Sequence, residues 1–411
     1  MNKFLVGLLA TAVALPQTPR SISEAEVQQV HQSALLIDSH NDVTSFTVDG
    51  MDIGQPQPKR HTDLSKLKQG GVGAVFFAVY VSGRYVEGNH AAHRTLEMID
   101  TVKHDIASRY PNGFQLATTA DQIEAAKRNG KIAALLGVEG GHAIEDSLRL
   151  LRTYFDLGVR YLTLTHSNSN NWADSSGDAG RHNGLTAFGK QVVKEMNRLG
   201  MIVDISHVSD KTFSDVLATS SAPVFASHSS CKALSPIARN MTDQMIRALA
   251  AKHGVIQINF GCEFLSEKSA NSSTWTNPTR KAAVDAELAK LGKLSPQRTE
   301  EESQAIAIRL GLKIVPATLA DVVAHIEHVI KIAGVDHVGI GSDFDGVGCV
   351  PIGLDNVAKF PALTRALLER GHNADTIRKI YGGNLLRLMR SVETIAKKTQ
   401  SLSTQSLRTQ P

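Results

Sequence analysis

Cysteine is nearly absent from this chain: Cys231, Cys262 and Cys349 are the only three in 411 residues. They form no close-spaced zinc motif and at most one disulfide, so the fold does not depend on a disulfide framework. No apolar run reaches the about 20 residues that a membrane-spanning helix needs, which excludes a polytopic membrane protein. An excess of one charge is missing too. The formal net charge of +4 comes mostly from the ends, where Lys3, Lys397, Lys398 and Arg408 outnumber Glu393. No basic stripe marks a nucleic-acid partner. No internal repeat is evident, and no glycine-rich phosphate loop follows the first candidate strand. Apolar residues, at 42%, are plentiful enough to exclude disorder as the dominant state. Histidine is the informative count, at 16.

The ends read as additions to one large domain. Residues 1–20 are expected to be a signal peptide and leader. Lys3 supplies the positive start, Phe4–Leu15 is apolar but too short to span a bilayer, and Ala12 and Ala14 offer a small-residue cleavage site. The product is then exported, periplasmic or secreted, and soluble. Residues 391–411, rich in Ser, Thr and Gln, are expected to be a flexible tail without a lipid-anchor signal.

Residues 21–390 alternate short apolar runs with helical patterns. The runs are Ala34–Asp38, Ala74–Val81, Ile132–Val138, Tyr161–Thr165, Met201–Ile205, Pro223–Ala226, Val255–Phe260 and His337–Ile340. All are too short for helices and rich in Val, Ile, Leu and Phe. Segments such as Ile144–Leu157, Gly184–Leu199, Thr242–Lys252 and Ala317–Ala333 have helical spacing. Eight buried strands with helical crossovers predict a (β/α)8 TIM barrel. A doubly wound sheet is the alternative on patterning alone. The longest insertion, Gly261–Pro316, follows the seventh run and contains helical patterns near Arg280–Leu291 and Gln297–Leu310. Its position suits an active-site lid or a subunit contact as well as inert decoration.

Polar residues gather where these runs end. The first ends in His40-Asn41-Asp42, and residues two apart on a strand share a face. The third ends in Glu139, the fourth in His166, the fifth in His207, the sixth in His228, and the eighth in Ser342-Asp343-Phe344-Asp345. Each alone reads as a structural histidine, a helix cap or a turn former. Together they put imidazole and carboxylate around one barrel mouth, where so many ionisable groups are costly without a metal. Asp345, Asp38 and Asp204 read as supports for the ligands, and His142 as structural. Ser206, Ser227 and Ser229 lack a nucleophile-elbow motif.

With these residues in place the sequence resembles the zinc dipeptidases of the renal, or membrane, dipeptidase type, which belong to the amidohydrolase-like barrels. The resemblance runs from about Leu36 to Met389. It rests on Asp38-Ser39-His40-Asn41-Asp42, Gly137-Val138-Glu139-Gly140, Leu164-Thr165-His166, Asp204-Ile205-Ser206-His207, Ser227-His228-Ser229-Ser230, Ala238-Arg239-Asn240, Gly341-Ser342-Asp343-Phe344-Asp345-Gly346-Val347 and the ending Gly383-Asn384-Leu385-Leu386-Arg387.

The resemblance implies two zinc ions per chain. His40 and Asp42 take one, His207 and His228 take the other, and Glu139 bridges them with a water or hydroxide. His166 and Arg239 hold substrate, His166 also facing the oxyanion, and Asp343 moves protons. Arg239 alone would read as a surface cation at a helix start. The animal enzymes place a tyrosine near the substrate carboxylate where this chain has Phe264. The implied activity is hydrolysis of dipeptides, tolerant of a D-residue or dehydro-residue on the C-terminal side. The implied partners are a dipeptide substrate and, as in many members, a second copy in a homodimer. Another binuclear amidohydrolase (a deacylase, lactonase or β-lactam hydrolase) is one alternative. A zinc-dependent binding protein without catalysis is another, and the proton-handling Asp343 speaks against it.

Overall fold

In the computed structural model, residues 21–408 are described, apart from Lys293 and Ser295. The expected signal peptide and leader, residues 1–20, lies outside them. Nine strands form: β1 (Leu36–Asn41), β2 (Val72–Tyr80), β3 (Phe114–Leu116), β4 (Ile132–Glu139), β5 (Val159–Thr163), β6 (Ile202–Asp204), β7 (Phe225–Ser229), β8 (Val255–Ile258) and β9 (Val338–Ile340). Eight of them pair in parallel in the order β1-β2-β4-β5-β6-β7-β8-β9. The ring closes beyond the strand ends, where the Asp42 N–H donates to the Phe344 carbonyl at 2.9 Å and the Asp343 N–H to the His40 carbonyl at 3.0 Å. This is the expected (β/α)8 barrel. The ninth strand, β3, has no counterpart among the eight apolar runs. It pairs only with the start of β4 and lies off the barrel path.

The strands are buried on both faces because helices cover the outside and side chains fill the inside. Phe76, Tyr161 and Phe225 pack against one another within an inner cluster that also includes Ile37, Ala74, Ala133, Leu135 and Val255. Ser147, Thr186, Ser209 and Thr242 start the helices Leu148–Asp156, Ala187–Leu199, Asp210–Thr219 and Asp243–Ala251. Each side chain accepts a backbone N–H from the first turn, satisfying a donor that the helix itself cannot.

Two expectations change. Residues 391–408 are not a loose tail, because the helix Asn384–Arg408 continues through them. Leu385, Leu388, Met389 and Val392 recur at three- and four-residue spacing and pack onto the inner cluster. Strand ends also shift: β5 stops at Thr163 and β6 at Asp204, so His166 and His207 stand on the loops that follow.

The insertion holds the helices Cys262–Leu265, Glu267–Ser272, Pro278–Leu288 and Pro296–Arg309. Several contacts tie it to the barrel, two of them to loops at the mouth. A disulfide joins Cys262 to Cys349 on the loop after β9, and Arg84, on the loop after β2, donates to Thr299 Oγ1 at 2.9 Å. Cys231 is free and buried. Among the described residues no helix is long and apolar enough to cross a membrane.

Candidate metal centre and active site

Seven of the residues singled out at run ends meet at one barrel mouth. His40 lies on β1 and Asp42 just beyond it; Glu139 ends β4 and His228 lies on β7. His166, His207 and Asp343 stand on the loops after β5, β6 and β9. Parallel strands bring all their C-terminal ends to the same side, so distant sequence positions converge.

Glu139 is the centre of the cluster. Its Oε1 lies 3.0 Å from His207 Nε2 and 3.2 Å from His228 Nε2, while its Oε2 lies 3.5 Å from His40 Nε2. His40 Nε2 is in turn 3.2 Å from Asp42 Oδ2. Among the described residues three groups could each hold an ion: His40, Glu139 and His228; Glu139, His166 and His207; and His40, Asp42 and Asp343. Burial opposes ionisation of Glu139, but the surrounding histidines outweigh it and hold its carboxyl well below the usual range. Burial pushes His207 and His228 well down and His166 down, leaving neutral imidazoles with lone pairs to offer.

The donor set fits a divalent metal ion. His40 Nε2 and Asp42 Oδ2 are buried and make no hydrogen bond, a costly arrangement for polar atoms unless something else binds them. His207 Nε2 and His228 Nε2 face each other at 3.0 Å. Imidazole nitrogen and carboxylate oxygen without thiolate suit an ion such as zinc. Gly346 keeps the floor open: a Cβ there would stand 2.3 Å from Asp42 Oδ2 and 2.5 Å from Asp343 Oδ1.

Two site residues hold a left-handed backbone, His207 at φ +67° and Asp343 at φ +59°. Such a conformation is uncommon outside glycine and turns each side chain back toward the mouth. Asp343 Oδ2 accepts the Asn259 amide at 2.7 Å. Burial, then the neighbouring Asp42 carboxylate, raises the Asp343 carboxyl well above its usual range. Two further carboxylates, Asp38 and Asp204, are fully buried. Asp38 accepts the Ser342 N–H and hydroxyl at 2.8 and 2.6 Å. Asp204 accepts the Ser206 and Ser227 N–H groups at 3.0 and 2.8 Å, tying β6 to β7. Asp345 belongs to no metal group; it accepts the His61 N–H at 2.9 Å and holds a loop. His142 is likewise structural, bonded to the Val81 carbonyl at 2.8 Å.

Arg239 is buried at 6% exposure. It donates to the His228 carbonyl at 3.0 Å and the Ser229 hydroxyl at 3.3 Å, while its Nε has no partner. Burial lowers its pKa to about 10, which keeps it cationic at neutral pH. The guanidinium carbon stands 5.2 Å from the Phe264 ring centre, and Trp275 stacks on that ring at 5.7 Å. The insertion therefore contributes to the site rather than decorating a distant surface. Sequence reasoning missed Asn259, Trp275, Tyr80, whose ring lies 4.7 Å from His166, and Tyr161, bonded to His40. Asn259 was findable as a polar residue within the run Val255–Phe260. The other three carry no local signal.

A family profile described as membrane dipeptidase (peptidase family M19) matches residues 24–403. Dipeptidase verJ of Clonostachys rogersoniana is 38% identical over 389 residues, covering 90% of this chain and 88% of that protein. The crystal structure of the probable dipeptidase PvdM from Pseudomonas aeruginosa superposes with a TM-score of 0.78 at 26% identity, covering 90% of this chain and 98% of that one. A metallo peptidase from Rhodobacter sphaeroides, liganded with a phosphinate mimic of the dipeptide L-Ala-D-Ala, gives a TM-score of 0.70 at 25% identity, covering 87% and 99%.

Proposed function

Because the chain belongs to the membrane dipeptidase family, and is therefore a metallopeptidase that hydrolyses dipeptides, we propose that it works with two zinc ions divided by Glu139. The observation that carries this reading is the split of the Glu139 carboxylate, with Oε1 toward His207 and His228 and Oε2 toward His40. His40 and Asp42 would hold one ion, His207 and His228 the other.

Such ions, when bound, polarise a scissile carbonyl and make water nucleophilic near neutral pH. The chain's own residues do the rest. Asp343 accepts the proton of the attacking water and returns it to the leaving amine, with Asn259 fixing one carboxylate oxygen so that the other faces the reaction. The partly exposed His166 donates to the developing oxyanion. Arg239 offers its unpartnered Nε to the substrate's free C-terminal carboxylate, which limits the substrate to two residues. Phe264 supplies an apolar wall beside Arg239 and no hydroxyl, so carboxylate recognition falls to the guanidinium.

A D-residue on the C-terminal side is accepted in this reading, supported by the relative that carries a mimic of L-Ala-D-Ala. Export is supported by the Cys262–Cys349 disulfide, since such bonds persist in oxidising compartments. The test is zinc reconstitution of purified protein followed by metal analysis and a panel of L,L- and L,D-dipeptides. Two ions per chain and turnover of both series are expected. Active protein with clearly fewer than two ions would end the bridged reading, and inertness toward L,D-substrates would end the stereochemical one.

A further inference from the structure

Tyr161 has no part in the chemistry above, yet its hydroxyl lies 2.8 Å from His40 Nδ1. We propose that Tyr161 is the positioning residue for His40, fixing the imidazole so that Nε2 faces the metal position. This rests on the zinc reading just given.

The reach is unusual. Tyr161 starts on β5, and β4 and β2 stand between β5 and β1 in the sheet. The ring crosses that distance inside the barrel, fully buried, with its centre 5.2 Å from Phe76 and 5.3 Å from Phe225. Gly137, its register partner on β4, makes the crossing possible. A Cβ on Gly137 would sit 1.9 Å from Tyr161 Cζ, inside the ring's own volume. Gly137 is two residues before Glu139, on the same face of the strand. One strand thus carries both the bridging carboxylate and the gap through which the His40 partner passes.

The chemistry follows from the imidazole. A neutral histidine that ligates through Nε2 carries its proton on Nδ1, and that N–H needs an acceptor when buried. The phenol oxygen is that acceptor. With it in place, Nε2 faces the position between Asp42 and Glu139, whose oxygens lie at 3.2 and 3.5 Å. The other side of the centre has a separate support: His228 Nδ1 is 2.7 Å from Ser227 Oγ, which donates to Asp204 Oδ2 at 2.5 Å. Removing the phenol hydroxyl should therefore loosen the His40 side alone.

The experiment is zinc competition with a chromophoric chelator on the purified protein, with melting temperature measured in parallel. Tyr161→Phe keeps the ring and is expected to weaken one zinc ion by about 10–100-fold, leaving the other unchanged. Ser227→Ala is expected to weaken the other ion. In a His40→Ala background, Tyr161→Phe should add no further loss, because it acts through His40. Unchanged zinc affinity in Tyr161→Phe, with or without a lower melting temperature, would reduce the residue to packing and overturn the proposal. So would a full additional loss in the His40→Ala background. If the wild type binds a single ion, the two-ion reading falls. Tyr161 still stands if that ion is weakened by both Tyr161→Phe and His40→Ala, and falls if it is not.

Discussion

Asn259 on the loop after β8 donates its side-chain amide to Oδ2 of Asp343 at 2.7 Å, which fixes the carboxyl to which the proposed function gives the proton transfer. An amide in place of the carboxyl can neither take nor give a proton. Asp343→Asn is expected to fold and bind metal normally and to lose at least about 100-fold in kcat. Steady-state kinetics alongside metal content decides this. A loss within about tenfold, with metal bound, would remove Asp343 from the proton transfer.

Arg239 should govern recognition of the free carboxylate. Arg239→Ala is expected to raise KM for dipeptides by about tenfold or more, consistent with loss of a charge-assisted hydrogen bond. Amidated dipeptides should be poor substrates of the wild type. Equal kcat/KM for free and amidated forms would show that the guanidinium reads something else.

His207→Ala should separate the two proposed metal positions. Only His228 and the shared Glu139 would remain on that side, so the variant is expected to retain one ion after dialysis where the wild type retains two. Retention of both would mean that His207 is no ligand.

Stability should fall on the acid side through His325. This side chain is fully buried; its Nδ1 accepts the Cys231 N–H at 3.0 Å and its Nε2 faces the Leu265 carbonyl at 3.1 Å. Burial lowers its pKa to about 4 from 6.5, because the charged imidazole would lose its hydration there. The unfolded chain takes up the proton first. The contribution is therefore complete above about pH 6.5 and is lost as pH falls toward about 4, reaching roughly 3 kcal/mol. Urea midpoints between pH 7 and pH 5 should drop less in His325→Gln than in the wild type. Equal drops would exclude His325 as a source.

Deleting residues 391–411 should destabilise the protein, because Val392 and Ala396 are buried at 1% and 4% exposure. Burial of a side chain the size of valine contributes about 1.5–3 kcal/mol. A loss of at least about 2 kcal/mol in a chemical melt is expected, whereas a loose tail could be removed without effect.

The barrel was readable from the chain because eight short β-rich runs, spaced by helical patterns, have few other ways to bury both faces. The convergence of the candidate ligands was readable for a related reason: parallel strands force their C-terminal ends together, so His40, Glu139 and His228 meet whatever lies between them. Arg239 was different. It sits on an irregular loop, with no period to place it, and only the family resemblance pointed to it. Strand β3 escaped because three residues at a barrel's edge leave no pattern. The residues from 391 to 408 differ from expectation because Ser, Thr and Gln dominate their composition, while Val392, Ile395 and Ala396, at helical spacing, face the rest of the protein.

Patterning of apolar runs and the chemistry at their ends carried the fold class and the gathering of imidazole and carboxylate groups at the barrel mouth, since strand periodicity and parallel pairing are local rules with a global consequence. The contacts across the barrel came from packing alone. Tyr161 reaches His40 only because Gly137 leaves room, and Asn259 meets Asp343 across 84 positions. Phe264 comes to stand between Arg239 and Trp275 only once the insertion folds over the mouth. Such pairs have no spacing in the chain, because what joins them is the shape of the interior that all the strands build together.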